Sequence, residues 1–260
     1  VAVHIVMRGY GGRMAGPLRV DPAQHDARAV GDEALLAAAR TAAWVARDRS
    51  AGVRAAVAAG AGAILLDDGF QNPTVAKDLS LLVVDAGYGF GNGRLLPAGP
   101  LREPLAAGLA RADAVVLIGD GAATPHPLGL IDRPVLRAAL APLDAAPLVG
   151  PPLVAFAGIG RPAKFFATLD RLGAAVAVAR GFPDHHVYRP GELAALRETA
   201  RRHGARLVTT AKDWVRLPPA ERRDVAVLEV ALRWADEAAL DAVLAPLLGR
   251  IDDGGRRITA

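Results

Sequence analysis

Apolar residues along this chain fall into short runs of four to seven, each closed by a turn rich in glycine, proline or aspartate. Between the runs lie longer stretches in which alanine and leucine recur at helical spacing. The short runs predict strands over 1–7, 63–66, 79–84, 114–118, 153–157, 174–179, 206–209 and 225–230. The longer stretches predict helices over 34–46, 53–59, 162–172, 191–203 and 237–248. Strands alternating with helices imply parallel sheets covered by helices. The region before 152 is dense in proline, so residues 136–152 read as a linker. It separates an expected domain over 1–135 from a smaller α/β domain over 153–250, with a polar tail over 251–260.

Two strand ends carry unusual chemistry. Ile64-Leu65-Leu66 runs straight into Asp67 and Asp68, and the next run ends in Asp85. A buried strand does not tolerate charge in its middle, so the carboxylates belong at its carboxyl end, where open α/β sheets bind ligands. Adjacent carboxylates repel, which favours a metal ion or a shared proton, although a solvated turn accounts for them equally well. Arg8-Gly9-Tyr10-Gly11-Gly12 follows the first strand; glycines admit close backbone approach and arginine forks match phosphate, yet such a turn is also an ordinary loop. Asp32 and Glu33 open a helix, the first at the expected N-cap, and capping alone explains both. Phe182-Pro183-Asp184-His185-His186 places an acid beside an imidazole, and Thr209-Thr210-Ala211-Lys212-Asp213 follows a strand with hydroxyls and an ammonium that suit either phosphate or a helix cap. The loop from Gly87 to Leu105 carries apolar residues that fit either a lipid- or partner-facing edge or a loop tucked under its own side chains.

Composition narrows the classes. At 260 residues and 52% hydrophobic, the chain has a sizeable core. Its net charge is +4, and no basic run interleaved with aromatics suggests nucleic acid. Cysteine is absent, which excludes disulfides and thiolate metal sites. No apolar run approaches the length of about 20 residues that a membrane span needs.

The blocks R-G-Y-G-G, V-G-D-E, D-D-G-F-Q, G-F-G-N-G-x-L-L-P-A-G-P-L-R-E-P, F-A-G-I-G-x-P, F-x-D-H-H and T-T-x-K-D occur in this order from Arg8 to about Leu217. Together they resemble the tetraacyldisaccharide 4'-kinase family, the lipid A 4'-kinases. The resemblance implies a P-loop-kinase-like parallel sheet flanked by helices plus a second, smaller α/β domain. It also implies ATP and Mg2+ as cofactors, an acylated disaccharide lipid as substrate, and peripheral work at the cytoplasmic face of the bacterial inner membrane. Carried over by position, Asp32 resembles the general base and His185 its partner. Asp67 and Asp68 resemble the magnesium-side acids, while Arg8, Glu33, Gln71, Arg102 and Glu103 match positions lining the site. The chain departs from the pattern at Ala211, where glutamate is usual, and at Met7, where serine is usual. It contains no G-x-x-x-x-G-K-[ST] loop ahead of R-G-Y-G-G, and a truncated record of an intact kinase is the expectation, with weak ATP binding by these 260 residues alone. A non-catalytic lipid- or nucleotide-binding remnant is the alternative.

Overall fold

The computed structural model describes residues 1–119 and 132–252. In chain order its first elements are β1 (Val3–Met7), β2 (Leu18–Arg19), α1 (Ala27–Val30), α2 (Asp32–Ala38), β3 (Ala42–Val45), α3 (Arg49–Ala58) and β4 (Ala63–Leu66). There follow β5 (Leu81–Asp85), α4 (Leu105–Arg111), β6 (Ala114–Ile118) and β7 (Val135–Pro142). The remainder is β8 (Leu153–Ala157), α5 (Pro162–Arg171), β9 (Val176–Gly181), α6 (Pro190–Arg202), β10 (Arg206–Thr210), α7 (Ala211–Trp214), β11 (Val225–Leu228), β12 (Val230–Trp234) and α8 (Glu237–Asp252). Contacts divide the chain into two units. The larger comprises residues 2–67 and 142–230; of the described residues, the smaller comprises 1, 68–119, 132–141 and 231–252.

The larger unit holds two four-stranded sheets. The first has the order β2-β3-β1-β4, with β3, β1 and β4 parallel and β2 antiparallel at the edge. Successive side chains of a strand point to opposite faces. Accordingly Met7, Ala43 and Val45 pack on one side with Val30, Ala34 and Leu35, while Val6, Trp44 and Ala46 pack on the other with Ala56 of α3. The second sheet has the order β11-β10-β8-β9 and is parallel throughout. Its central strand β8 is wholly buried: Val154 and Phe156 face α6, and Leu153, Ala155 and Ala157 face α5. Burying a side chain such as Phe156 contributes about 1.5–3 kcal/mol relative to leaving it in water.

The smaller unit is built on a sheet of order β12-β7-β6-β5, in which β5, β6 and β7 are parallel. Leu109 of α4 packs with Val84, Val115 and Leu117 on one face. Ala239, Leu240 and Val243 of α8 pack against Ala114, Val116 and Leu136 on the other.

Several expectations need correction. Residues 34–46 are not one helix: α2 stops at Ala38, and Ala42–Val45 pairs with β1 in register as β3. Alanine's helix preference is a few tenths of a kcal/mol per residue, and strand pairing in the core outweighs it. The first seven residues of the expected 136–152 linker lie in β7, whose single proline, Pro142, is its last residue. The strand expected over 225–230 is two strands in different sheets, parted at Glu229. β4 is not buried on both faces; it is an edge strand, and Leu65 is 52% exposed. The expected domain over 153–250 loses α8, whose apolar face is covered by the sheet of β5–β7. The expected tail over 251–260 lies, from residue 253, outside the described residues.

Candidate active site

Asp32 owes its position to glycines. The glycine turn after β1 lies against the junction of α1 and α2, where Arg13 and Met14 donate backbone hydrogen bonds to the carbonyls of Arg28 and Ala29. Gly31 joins the two helices with φ of 90°, and a Cβ there would meet the Tyr10 carbonyl oxygen at 2.5 Å. Only glycine adopts that conformation without strain. Gly31, not Asp32, is therefore the N-cap of α2, and Asp32 is its first helical residue. Its side chain is 4% exposed. The Oδ1 atom accepts from the backbone N–H of Glu33 at 2.9 Å. The Oδ2 atom accepts from Arg216 Nε at 2.8 Å and also from Arg216 Nη2.

His185 arrives from the far end of the chain. Phe182 N–H donates to the Ala157 carbonyl, and His185 N–H donates to the Gly158 carbonyl at 3.0 Å, so the loop after β9 is pinned to the carboxyl end of β8. His185 has φ of 54°, uncommon for a residue with a side chain. This bend brings His185 Nδ1 to 3.4 Å from Asp32 Oδ2. The imidazole remains 38% exposed, with the Tyr10 ring 5.4 Å away between centroids. A buried carboxylate beside a half-open imidazole can move a proton to or from a ligand on the open side.

Behind them stands Asp213, fully buried. Its Oδ1 accepts from the Gly158 N–H at 2.9 Å, the Tyr188 hydroxyl at 2.8 Å and Arg216 Nη1 at 3.1 Å. Its Oδ2 accepts from the Thr210 hydroxyl at 2.6 Å, and Thr210 Oγ1 in turn accepts from the Asp213 N–H. Thr209 donates to the Phe156 carbonyl. The two threonine hydroxyls thus cap and tie strands. Lys212 Nζ lies 2.6 Å from Glu33 Oε1. Burial, and next the charge of Asp213, push the Tyr188 phenol far above its ordinary range.

Glu33 and Asp67 line one cleft of about 330 Å³ together with Ile5, Met7, Leu36, Ala37 and Leu65. Arg8 is exposed immediately past β1. Among the described residues, no three or more His, Cys, Asp or Glu side chains are grouped so as to hold a metal. Magnesium in phosphate-transfer sites takes only one or two carboxylates, the rest being phosphate and water oxygens. The hard oxygen donor of Asp67 at a strand end fits that requirement.

The smaller unit gathers the other expected residues. Arg102 Nη1 contacts both carboxylate oxygens of Asp68, at 2.9 and 3.1 Å, and lies 3.4 Å from Gln71 Oε1. Gln71 donates to Glu103 Oε1 at 3.0 Å. Arg111 makes two 2.7 Å contacts to Glu103 and stands over the Phe70 ring. The Arg111 hydrogen bond holds the Glu103 carboxyl below its ordinary value.

Asp32 and His185 are therefore in contact, Glu33 and Asp67 share a cleft, and Asp68, Gln71, Arg102 and Glu103 form a network of their own. Asp67 and Asp68, neighbours in sequence, fall in different units. Sequence reasoning missed Arg216, Asp213 as a hub, Tyr188 and Arg111. The available signal was the three-residue spacing of Asp213 and Arg216, although α7 itself ends at Trp214.

The chain matches the family model for tetraacyldisaccharide-1-P 4'-kinase over residues 1–249. It is 56% identical over 255 residues to the tetraacyldisaccharide 4'-kinase of Rhodospirillum centenum, covering 97% of this chain and 76% of that protein. It is 56% identical over 246 residues to the enzyme of the same name from Gluconacetobacter diazotrophicus, covering 93% and 74%. Among solved structures, a crystal structure of LpxK from Aquifex aeolicus in complex with ATP superposes with a TM-score of 0.72 at 26% identity. That match covers 95% of this chain and 79% of that one.

Proposed function

This chain belongs to the tetraacyldisaccharide 4'-kinase family, a family of phosphotransferases with an alcohol acceptor, and we propose that Asp32 and His185 are its acid–base pair. The reaction is transfer of the ATP γ-phosphate to the 4'-hydroxyl of a tetraacylated glucosamine disaccharide 1-phosphate, a step of lipid A biosynthesis. The observation that carries the assignment of the pair is the 3.4 Å approach of His185 Nδ1 to the buried Asp32 Oδ2.

A sugar hydroxyl is a weak nucleophile until its proton has somewhere to go. The Asp32–His185 pair can take that proton, with Asp32 as the base and His185 as its partner on the half-exposed side. Glu33 and Arg8 in the larger unit are assigned to contacts with sugar or phosphate. Gln71, Arg102 and Glu103 are assigned likewise in the smaller unit. Asp67 is the carboxylate that would hold Mg2+ with ATP, where the ion would neutralise phosphate charge, and Asp68, expected with it from the sequence, is paired with Arg102 in the smaller unit. Among the described residues no helix is long and apolar enough to cross a membrane. The acylated substrate itself calls for work at a lipid surface, which we place at the cytoplasmic face of the inner membrane.

The test is transfer from ATP to a tetraacylated disaccharide 1-phosphate, using the protein expressed from its full natural reading frame. Asp32→Asn and His185→Ala should each lower kcat by about 10²–10⁴, the usual contribution of general acid–base catalysis, with lipid still bound. Undiminished turnover in both variants would overturn the assignment.

A further inference from the structure

Arg216 is the one side chain in contact with both members of the Asp32–His185 pair among the described residues. It is 6% exposed and makes four kinds of contact. Nε and Nη2 donate to Asp32 Oδ2, Nη1 donates to the Gly158 carbonyl at 2.6 Å and to Asp213 Oδ1 at 3.1 Å, and Nη2 lies 3.2 Å from His185 Nδ1. We propose that Arg216 is a positioning residue for phosphate transfer: it locks the Asp32 carboxylate against the Gly158–Asp213 frame, facing His185. This rests on the reading of Asp32 and His185 as the acid–base pair.

Three arguments support it. First, a buried guanidinium is costly unless all its donors are used, and here the partners are two carboxylates and a carbonyl in a planar fork. Residues 32 and 216 are 184 positions apart, so the fork ties α2 to the segment after α7. Second, the frame behind Arg216 is rigid. A Cβ on Gly158 would lie 2.9 Å from His186 Cβ and 3.2 Å from Asp213 Oδ1, leaving no slack. The same Gly158 carbonyl accepts from Arg216 and from the backbone of His185, so one oxygen sets both positions. Third, the formal charges suit proton uptake. Asp32, Asp213 and Arg216 sum to a formal −1, and that sum becomes zero when the Asp32–His185 pair takes a proton. Without Arg216, two buried carboxylates would lose their shared cation, and Asp32 Oδ2 would lose both guanidinium bonds.

The groups facing His185 are Asp32 from α2, Arg216, Asp184 on its own loop at 3.9 Å, and the Tyr10 ring. Asp213 and the Lys212–Glu33 pair lie one contact further back. Removing the arginine cation favours protonation of its neighbours, so the acid limb of the pH–rate profile should move to higher pH.

The experiment compares Arg216→Gln, Arg216→Ala and Arg216→Lys in the protein from its full reading frame. Arg216→Gln should lower kcat by about 10²-fold, the cost of a misplaced reacting group, with KM for ATP and lipid changed far less. The acid limb should shift upward in the same variant. Low concentrations of guanidinium ion should partly restore Arg216→Ala and leave His185→Ala unchanged. Should the Gln and Ala variants fail to fold, Arg216→Lys decides: it keeps the cation but loses the fork, so a lowered kcat with the acid limb close to that of wild type supports the proposal, and wild-type kcat overturns it. A folded Arg216→Gln with wild-type kcat also overturns it, as does a lowered kcat with neither limb shift nor guanidinium rescue. Full activity in Asp32→Asn and His185→Ala would instead remove the acid–base reading beneath it.

Discussion

Lys212 Nζ donates to Glu33 Oε1 at 2.6 Å, joining residues 179 positions apart. The contact sets an ammonium of α7 on the first turn of α2, beside the buried Asp32. Both side chains are 44% exposed, so the pair is a surface one and solvent screens it. Lys212→Met should cost less than about 1 kcal/mol of stability, read as a small shift in the urea midpoint. A loss beyond about 2 kcal/mol would mean that the ammonium is part of the buried network rather than its rim.

Tyr188 carries a sharper expectation. Its hydroxyl is one of the donors to the fully buried Asp213, and its ring packs edge-on against Phe156. Tyr188→Phe keeps the ring and deletes the donor. A hydrogen bond to a charged group contributes about 1.5–3 kcal/mol, and denaturant melts should show a loss of that order. The phenol should also stay protonated as long as the protein is folded, because burial and the Asp213 charge both oppose its ionisation. The chain has 3 tyrosines, so an alkaline ultraviolet titration should show one that ionises only on unfolding.

Glu103 predicts a pH dependence. Its carboxyl is held below the ordinary value of 4.5, first by the hydrogen bond from Arg111, with Gln71 adding to it. The unfolded chain therefore binds this proton at higher pH than the folded one. The stability that Glu103 contributes is complete above 4.5 and disappears as pH falls through the lower folded value. Glu103→Gln should flatten the fall in urea midpoint on acidification. An identical fall in wild type and variant would contradict the Arg111 contact.

Gly31 and Gly158 should tolerate no side chain. In Gly31→Ala the new methyl meets a backbone oxygen at 2.5 Å, at a φ that disfavours alanine as well. In Gly158→Ala it crowds His186 Cβ and the Pro183 carbonyl, at 2.9 and 3.0 Å. Overpacking of this kind costs about 1–3 kcal/mol, and Gly31→Ala should reach the upper end because backbone cannot step aside. Since Gly31 sets Asp32 and Gly158 sets His185, turnover should fall in both variants at temperatures where they remain folded. Wild-type turnover and midpoint in either would refute the tight packing.

Much of this was legible in residue order. The apolar runs at 63–66, 114–118 and 153–157 became strands with the expected bounds, because a short run between turn residues leaves the backbone few alternatives. Pro162 and Pro190 sit at helix starts, where the missing N–H is harmless. The ordered motif blocks led to the family, and the family model matches nearly the whole length. What the sequence by itself determined was thus local: which segments are extended, which are coiled, where glycine must stand, and which ancestry the blocks share.

Only the tertiary structure decided the rest. The alanines of β3 read as helix until β1 offered them a register. The helix α8 went to the sheet of β5–β7 because its apolar face is covered there. Thr209 and Thr210 proved to tie strands and cap a helix. Arg216 looked like one surface cation among 31 basic residues until the fold carried Asp32 and His185 to it. Periodicity and steric preference act between neighbours in sequence and leave a trace there. A contact across 184 positions depends on the path of the chain through space, which leaves no local trace.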